Sequence, residues 1–409
     1  MNNNPDLHAR ATALPQQVGS TRRHFLLGSA GVLASVPLLG LAPLARGEEP
    51  KSLPDYAAWK ERNALIVHST NTMETRRDAI GAGVVTPSDR LFVRNNLPTP
   101  PVEVVENADA WEVSIEGVRN ARSLTLAELK NMNVTSVTTV LQCSGNGRAF
   151  FPHGASGTQW SVGAAGCVVW TGVPLKDVVE ELGGVEDGMS FITSTGGEEL
   201  PAGLDPKTVM VERSVPTRAL ETAILAWAMN DEPLPLSHGG PLRMVVPGYY
   251  GVNNVKYVKR VAFTDKETDA KIQASGYRIR DVGKSGAPEQ PSMWEMNVKS
   301  WITTPLEKTH KGRNLIYGVA MGGAVAVESV EVSTDGGETW QEARFVGPDL
   351  GQYAWRPFVF ATDLSPGEVR LVSRATSASG ETQPKGRTDN ERGYGHNGWE
   401  DHGVTVQVS

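Results

Sequence analysis

Leu141-Gln142-Cys143-Ser144-Gly145-Asn146-Gly147-Arg148 sets a cysteine at the end of a strand-like run and opens a tight turn behind it. The residues leading in, Val134 to Leu141, are rich in Val and Thr, which suit a pleated, half-buried strand. A strand is therefore expected to end at Cys143. Gly145, Asn146 and Gly147 let the backbone bend sharply and approach a ligand closely. Arg148 adds a cation; a nearby cation favours the thiolate, and thiolates are soft metal ligands. Taken alone, a cysteine in a glycine-rich turn is more often structural than catalytic, so its surroundings must decide.

Outward from this turn, strands and helices mix between Leu91 and about Phe263. Trp111 to Gly117 alternates apolar and polar residues with the period of a half-buried strand. Thr125-Leu126-Ala127-Glu128 is a capping box opening a short helix to about Met132. Pro174 to Leu182 has proline in a first-turn position and Gly183-Gly184 behind it, a helix with both ends marked. Thr217 to Met229 is expected as a second helix, and Leu242 to Val246 as a strand stopped by Pro247-Gly248. Composition changes at Lys284 to Pro291, a linker. Beyond it come short strands at Leu315–Ala320, Val325–Val332, Phe358–Ala361, Val369–Ala375 and Val404–Val408, the spacing of a β-sandwich. Ser333 to Trp340 is its clearest hairpin turn. The same residues match the aspartate box of sialidase-type propellers, but a propeller repeats its blades and this box occurs once.

At 409 residues, a leader and two domains are expected. The formal charge is −7, and such an acidic body lacks the basic footprint that nucleic acid needs. An anionic substrate then requires a locally positive pocket, and a basic protein is a compatible partner. Ser20-Thr21-Arg22-Arg23-His24-Phe25-Leu26-Leu27 precedes a weakly apolar stretch to Leu44 and reads as a twin-arginine export signal over 1–45. Gly28, Gly31, Pro37 and Gly40 interrupt that stretch, so no stable membrane span is expected after leader removal. Folded export to the periplasm suits a chain that receives a cofactor in the cytoplasm. Of the two cysteines, Cys167 lies in the apolar Ala164 to Trp170. It reads as a buried inert thiol, or as a disulfide partner of Cys143 in an exported protein. No CxxCH motif occurs, so no haem is expected on this chain. The histidine spacing suggests no zinc site.

The Leu-Gln-Cys-x-Gly-Asn-x-Arg stretch resembles the motif of the sulfite oxidase family, which includes bacterial sulfite dehydrogenases and the molybdenum domain of plant nitrate reductase. Further segments match in order. Phe92-Val93-Arg94-Asn95-Asn96-Leu97-Pro98 is similar to the family's Phe-x-Arg-Asn-His-x-Pro. Trp160 and the stretch Trp170 to Leu175 match another block. His238-Gly239-Gly240-Pro241-Leu242-Arg243, then Pro247-Gly248, Gly251 and Lys256, resemble a third. The resemblance runs from about Leu91 to the end and implies an α+β fold. A mixed molybdopterin-binding domain would occupy 91–290, after an N-terminal extension at 46–90. An all-β, immunoglobulin-like dimerisation domain would occupy 291–409.

Carried over residue by residue, the resemblance implies that Cys143 bonds molybdenum beside the two sulfurs of one molybdopterin. Arg94 and Arg148 would line an anion pocket walled by Trp160, with Tyr277 as the active-site tyrosine. Asn95, Asn96, His238, Arg243 and Lys256 would hold the cofactor. Asn96 stands where the family commonly has His, which keeps a hydrogen-bonding side chain and loses a titratable one. Arginines suit a small oxyanion, because a rigid fork of donors binds it at several points. The implied reaction oxidises sulfite to sulfate by oxygen-atom transfer and passes electrons singly to a separate c-type cytochrome. A homodimer through the terminal sandwich is also implied. The alternatives are a sulfane dehydrogenase-type subunit of a thiosulfate-oxidising complex, another molybdopterin oxide reductase, and a non-catalytic exported binding protein.

Overall fold

Val113 and Ile115 are fully buried while Glu112 is exposed and Ser114 and Glu116 are half-buried, so the alternation in the sequence becomes the two faces of a strand. In this computed structural model, which describes residues 52–409, that strand lies in a five-stranded sheet. Its order is Arg122–Thr125, Glu112–Glu116, Val258–Thr264, Phe191–Gly196, Glu212–Pro216. The helices Leu126–Lys130 and Leu175–Glu181 join the same core through Leu129 and Val178. The capping box at Thr125 forms as expected, with Glu128 accepting from the Thr125 N–H at 2.7 Å.

The second sheet carries the cysteine turn. Thr135–Gln142 pairs antiparallel with Ala165–Pro174, which pairs with Ile224–Met229. Glu232–Pro233 and Arg243–Val245 add to the far side of Ile224–Met229. The helix expected over Thr217 to Met229 is therefore corrected: Thr217–Glu221 forms one 3-10 helix and Ile224–Met229 is a central strand. Ile224, Leu225 and Ala226 are all buried. A strand covered on both faces reads as a continuous apolar run, which periodicity cannot tell from a buried helix.

The terminal region is a sandwich of two sheets. One holds Lys299–Thr304, Gly312–Met321, Arg356–Leu364 and Arg344–Phe345. The other holds Lys308–Thr309, Val404–Val408, Gly367–Ser377, Val327–Ser333 and Gln341–Glu342. Ile302, Ile316 and Phe358 from the first meet Val330, Leu371 and Val406 from the second in one core. The turn after Ser333 is tied by Asp335, whose carboxylate accepts from the Glu338 and Thr339 N–H groups. The leader expected over 1–45 lies outside the described residues.

From residue 52 onward, the segment expected as an extension is woven into the rest. Thr72–Thr75 pairs with Val93–Arg94, so it sets the strand that carries Arg94. Glu74 is buried and accepts from the Ser161 N–H and the Gly163 N–H, each at 2.9 Å. Its other oxygen meets His68 Nε2 at 2.8 Å. Glu74→Ala would strand these donors, and a loss of about 3 kcal/mol is expected. Urea unfolding of the two proteins checks this; a change within about 0.5 kcal/mol, as for an ordinary surface site, would show that the carboxylate is dispensable.

Candidate active site

The strand Thr135–Gln142 delivers Cys143 to the edge of a cleft. The cysteine N–H donates to the Ala164 carbonyl at 2.9 Å, which anchors the start of the turn to the neighbouring strand. Asn146 closes the turn: its N–H donates to the Cys143 carbonyl, and its side chain bridges Gln142 and the Ala164 N–H. Gly147 has φ +101°, and a Cβ there would come within 2.6 Å of His396. Only glycine satisfies both conditions.

Arg94, Asn95, Asn96, Cys143, His238, Arg243, Lys256 and Tyr277 all line this cleft. Residues far apart in sequence thus meet around one thiol. Arg94 is half-buried and Asn96 exposed at the rim. Tyr277 stacks on Tyr394 with ring centres 5.2 Å apart and planes at 11°. Arg148 and Trp160 do not line the cleft. Arg148 is buried behind the cysteine turn, donating to the Arg392 carbonyl at 2.8 Å and the Thr158 carbonyl at 2.9 Å. Trp160 is fully buried one layer back, edge-on to Phe92, which does reach the cleft. The arginines of the lining are Arg94 and Arg243, and none among the described residues of the terminal region joins them.

The cleft is built for an anion. His238 and Arg243 are almost fully buried. Burial, reinforced by Lys60, Lys256 and Arg243, holds the His238 imidazole well below its ordinary range. Burial and the Arg243 charge do the same to the Lys256 amine, and burial pushes Arg243 down to about 9. Cations crowded out of water repel protons, and a bound polyanion would reverse that. Lys256 Nζ donates to Asn95 Oδ1 at 2.5 Å and to the Ser237 carbonyl at 2.6 Å. Arg243 donates to the His238 carbonyl at 2.9 Å. Two buried polar atoms of the lining, Ser144 Oγ and His238 Nε2, have no protein partner. Buried polar groups are normally satisfied, so these fit a ligand rich in acceptors. A pterin phosphate with a metal at the Cys143 sulfur would suit that donor set, and His238, Arg243 and Lys256 would be the residues to hold the phosphate.

Glu198 lines the cleft and was not anticipated. It follows Gly196-Gly197 at the end of a strand, a weak cue on its own. A carboxylate among cations suits the N–H edge of a pterin ring. Burial pushes its carboxyl up to about 7, against the lowering field of Lys256. Its ionisation therefore opposes folding of the cofactor-free protein, by an amount that grows from about pH 4.5 and levels off above about pH 7. Glu198→Gln is expected to be more stable than the wild type at pH 8, on the order of 2 kcal/mol, and indistinguishable at pH 4. Thermal unfolding at the two pH values checks this, and a difference independent of pH would assign the shift to another group.

Neither cysteine is in a disulfide. Cys167 is fully buried, and burial pushes its thiol up to about 12, so it is the inert one. The segment between the last two sandwich strands also reaches the turn: the Gly395 N–H donates to the Ser144 carbonyl at 2.9 Å. Among the described residues no group of three or more His, Cys, Asp or Glu side chains forms a further metal site. No helix among them is long and apolar enough to cross a membrane.

Comparison with known proteins agrees with this geometry. A family model described as oxidoreductase molybdopterin binding domain matches residues 97–272, and one described as Mo-co oxidoreductase dimerisation domain matches 290–409. The chain is 33% identical to the sulfite oxidase of Gallus gallus over 322 residues, covering 73% of this chain and 68% of that one. It is 32% identical to the mitochondrial sulfite oxidase of Homo sapiens over 349 residues, and 30% identical to that of Drosophila melanogaster over 325. Those alignments cover 80% and 73% of this chain but only 62% and 55% of the relatives, so the chain spans less than two thirds of their length. Among solved structures, the sulfane dehydrogenase SoxCD from Paracoccus pantotrophus superposes with a TM-score of 0.69 at 25% identity, covering 90% of this chain and 96% of that one.

Proposed function

Because the chain belongs to the sulfite oxidase family of molybdopterin-binding oxidoreductases, we propose that it oxidises sulfite to sulfate and passes the electrons singly to a c-type cytochrome in the periplasm. The observation that carries this reading is the cleft itself, where Cys143 faces Arg94 and Tyr277 beside the cationic group of His238, Arg243 and Lys256. Molybdenum held by a pterin dithiolene supplies two-electron oxygen-atom transfer when bound. The protein's part is to ligate, orient and shield. The Cys143 thiolate gives a soft ligand. Arg94 offers fixed, forked donors to the oxygens of the anion, and the Tyr277 hydroxyl adds one more. Phe92 and Leu141 form an apolar wall that limits water around the reacting atoms. Arg148 acts from behind, by bracing the cysteine turn through the Thr158 and Arg392 carbonyls.

The match of residues 290–409 to a dimerisation domain supports a homodimer. The arginine pair at Arg22-Arg23 supports export in the folded state. The acidic surface favours a basic electron acceptor. A second reading, oxidation of a sulfane sulfur, is favoured by the extent of the likeness to the sulfane dehydrogenase and by Asn96 at the rim.

Purified, cofactor-loaded protein is expected to hold about one molybdenum per chain and to reduce ferricyanide with sulfite far better than with thiosulfate. Protein free of molybdenum would reject the reading, and preference for a sulfane substrate would replace it with the second. Arg94→Gln is expected to raise the sulfite KM about tenfold or more, the equivalent of losing one charge-assisted hydrogen bond of about 1.5 kcal/mol. An unchanged KM would remove Arg94 from the anion contact.

A further inference from the structure

Behind the cysteine turn, outside the cleft, lies a second buried cation. Lys299 opens the strand Lys299–Thr304 of the terminal sandwich and is 1% exposed. Its ammonium donates to the carbonyl of Asn146, inside the Cys143 turn, at 3.2 Å. Among the described residues no carboxylate forms an ion pair with it. The titratable groups around it are His396 and His402, both held below their ordinary range by burial and by the Lys299 charge. Asp401, which pairs with His396, is engaged by His396 Nε2 at 2.8 Å and by Arg387 at 2.7 Å. The Trp301 ring lies 5.8 Å away.

Burying a charge without a counter-charge is costly: burial alone pushes the Lys299 amine down to about 7, and an apolar side chain of the same size would fill this place at less cost. Nor does one hydrogen bond to a carbonyl require a charged donor. A cation here is useful only to something negative. With molybdenum and a dithiolene bound, the Cys143 thiolate would be a negative centre on the same turn whose Asn146 carbonyl Lys299 holds. We propose that Lys299 is a positioning residue, contributed by the second domain, whose buried charge offsets the anionic molybdenum centre at Cys143 and raises its reduction potential. This rests on the molybdenum reading above. The physical basis is general: a fixed positive charge in a low-dielectric interior stabilises the state with the extra electron, and bulk salt screens it little. Surroundings of a metal tune its potential through charge, hydrogen bonding and burial.

Three holoenzyme variants separate charge from packing. Lys299→Met removes the charge and the hydrogen bond, Lys299→Gln keeps a donor without charge, and Lys299→Arg keeps the charge. Each is compared with wild type by EPR-monitored redox titration of the bound molybdenum, with metal content and the thermal midpoint of the cofactor-free form measured alongside. Lys299→Met and Lys299→Gln are expected to hold wild-type molybdenum, while their one-electron couple falls by at least a tenfold shift of the equilibrium, 59 mV. Lys299→Arg should stay near the wild-type potential. Cofactor-free Lys299→Met should unfold at the wild-type temperature or above it, because an unpaired buried charge is gone. A wild-type potential in Lys299→Gln overturns the proposal, whether or not Lys299→Met folds. So does a fall in potential that Lys299→Arg shares, since that marks a packing role. Wild-type protein without molybdenum is a different failure, and it falls on the proposed function.

Discussion

Cys143→Ser protein is expected to fold, to keep its pterin, and to turn over sulfite at less than roughly a thousandth of the wild-type rate, the scale on which loss of an essential catalytic group is felt. The fold should survive because nothing that shapes the turn uses the sulfur. The Cys143 N–H holds the Ala164 carbonyl, Asn146 closes the loop, and Gly395 ties Ser144. Chemistry should fail because a serine hydroxyl stays protonated at neutral pH, where a thiol ionises and bonds a soft metal. Cys167 offers no substitute, being buried with its thiol pushed up to about 12. Steady-state reduction of ferricyanide and a pterin assay on the same preparation make the measurement. Undiminished turnover would end the assignment of Cys143.

The second large effect is expected at Lys256, on cofactor retention. Its ammonium sits between Asn95 Oδ1 and the Ser237 carbonyl, with Arg243 and Arg94 close enough to depress its proton affinity. Glu198 offsets part of that crowding, and a bound polyanion would offset more of it. Lys256→Met should therefore purify with less than about a tenth of the wild-type molybdenum and pterin, since a charge-assisted contact of about 1.5–3 kcal/mol is lost at the phosphate end. The cofactor-free variant should be no less stable than wild type, because one of several mutually repelling cations has gone. Metal analysis and thermal unfolding test both halves. Full cofactor content in Lys256→Met would place the phosphate elsewhere. The contrast with Lys299 is useful, since that lysine should change the potential and leave the content alone.

Much of this was legible because it is local. Val and Thr before a glycine-rich turn announce the strand and the bend at Cys143, and the capping box at Thr125 announces its helix, because both depend on neighbours within a few residues. The ordered blocks around Arg94, Cys143 and His238 identified the lining of the cleft through resemblance. What misled the reading was also physical. Ile224 to Met229 is apolar on every side because neighbours cover both faces, and the same run would serve a buried helix. Arg148 and Trp160 look like pocket residues in a linear motif, yet the turn points one back toward the Arg392 carbonyl and the other toward Phe92.

By itself, then, the sequence determined the cysteine turn, the strand-rich terminal domain and the residue types from which an anion site is made. Tertiary structure alone decided which of them share the cleft. Glu198 enters because its strand lies beside the one leading from Lys256, and Arg94 because Thr72–Thr75 pairs with its strand; Lys299 and Gly395 stay outside the cleft but brace the cysteine turn from the terminal domain. Backbone preferences act over a few residues and can be read in order along the chain. A site is closed by pairings between segments dozens to hundreds of residues apart, and only the packed core selects those.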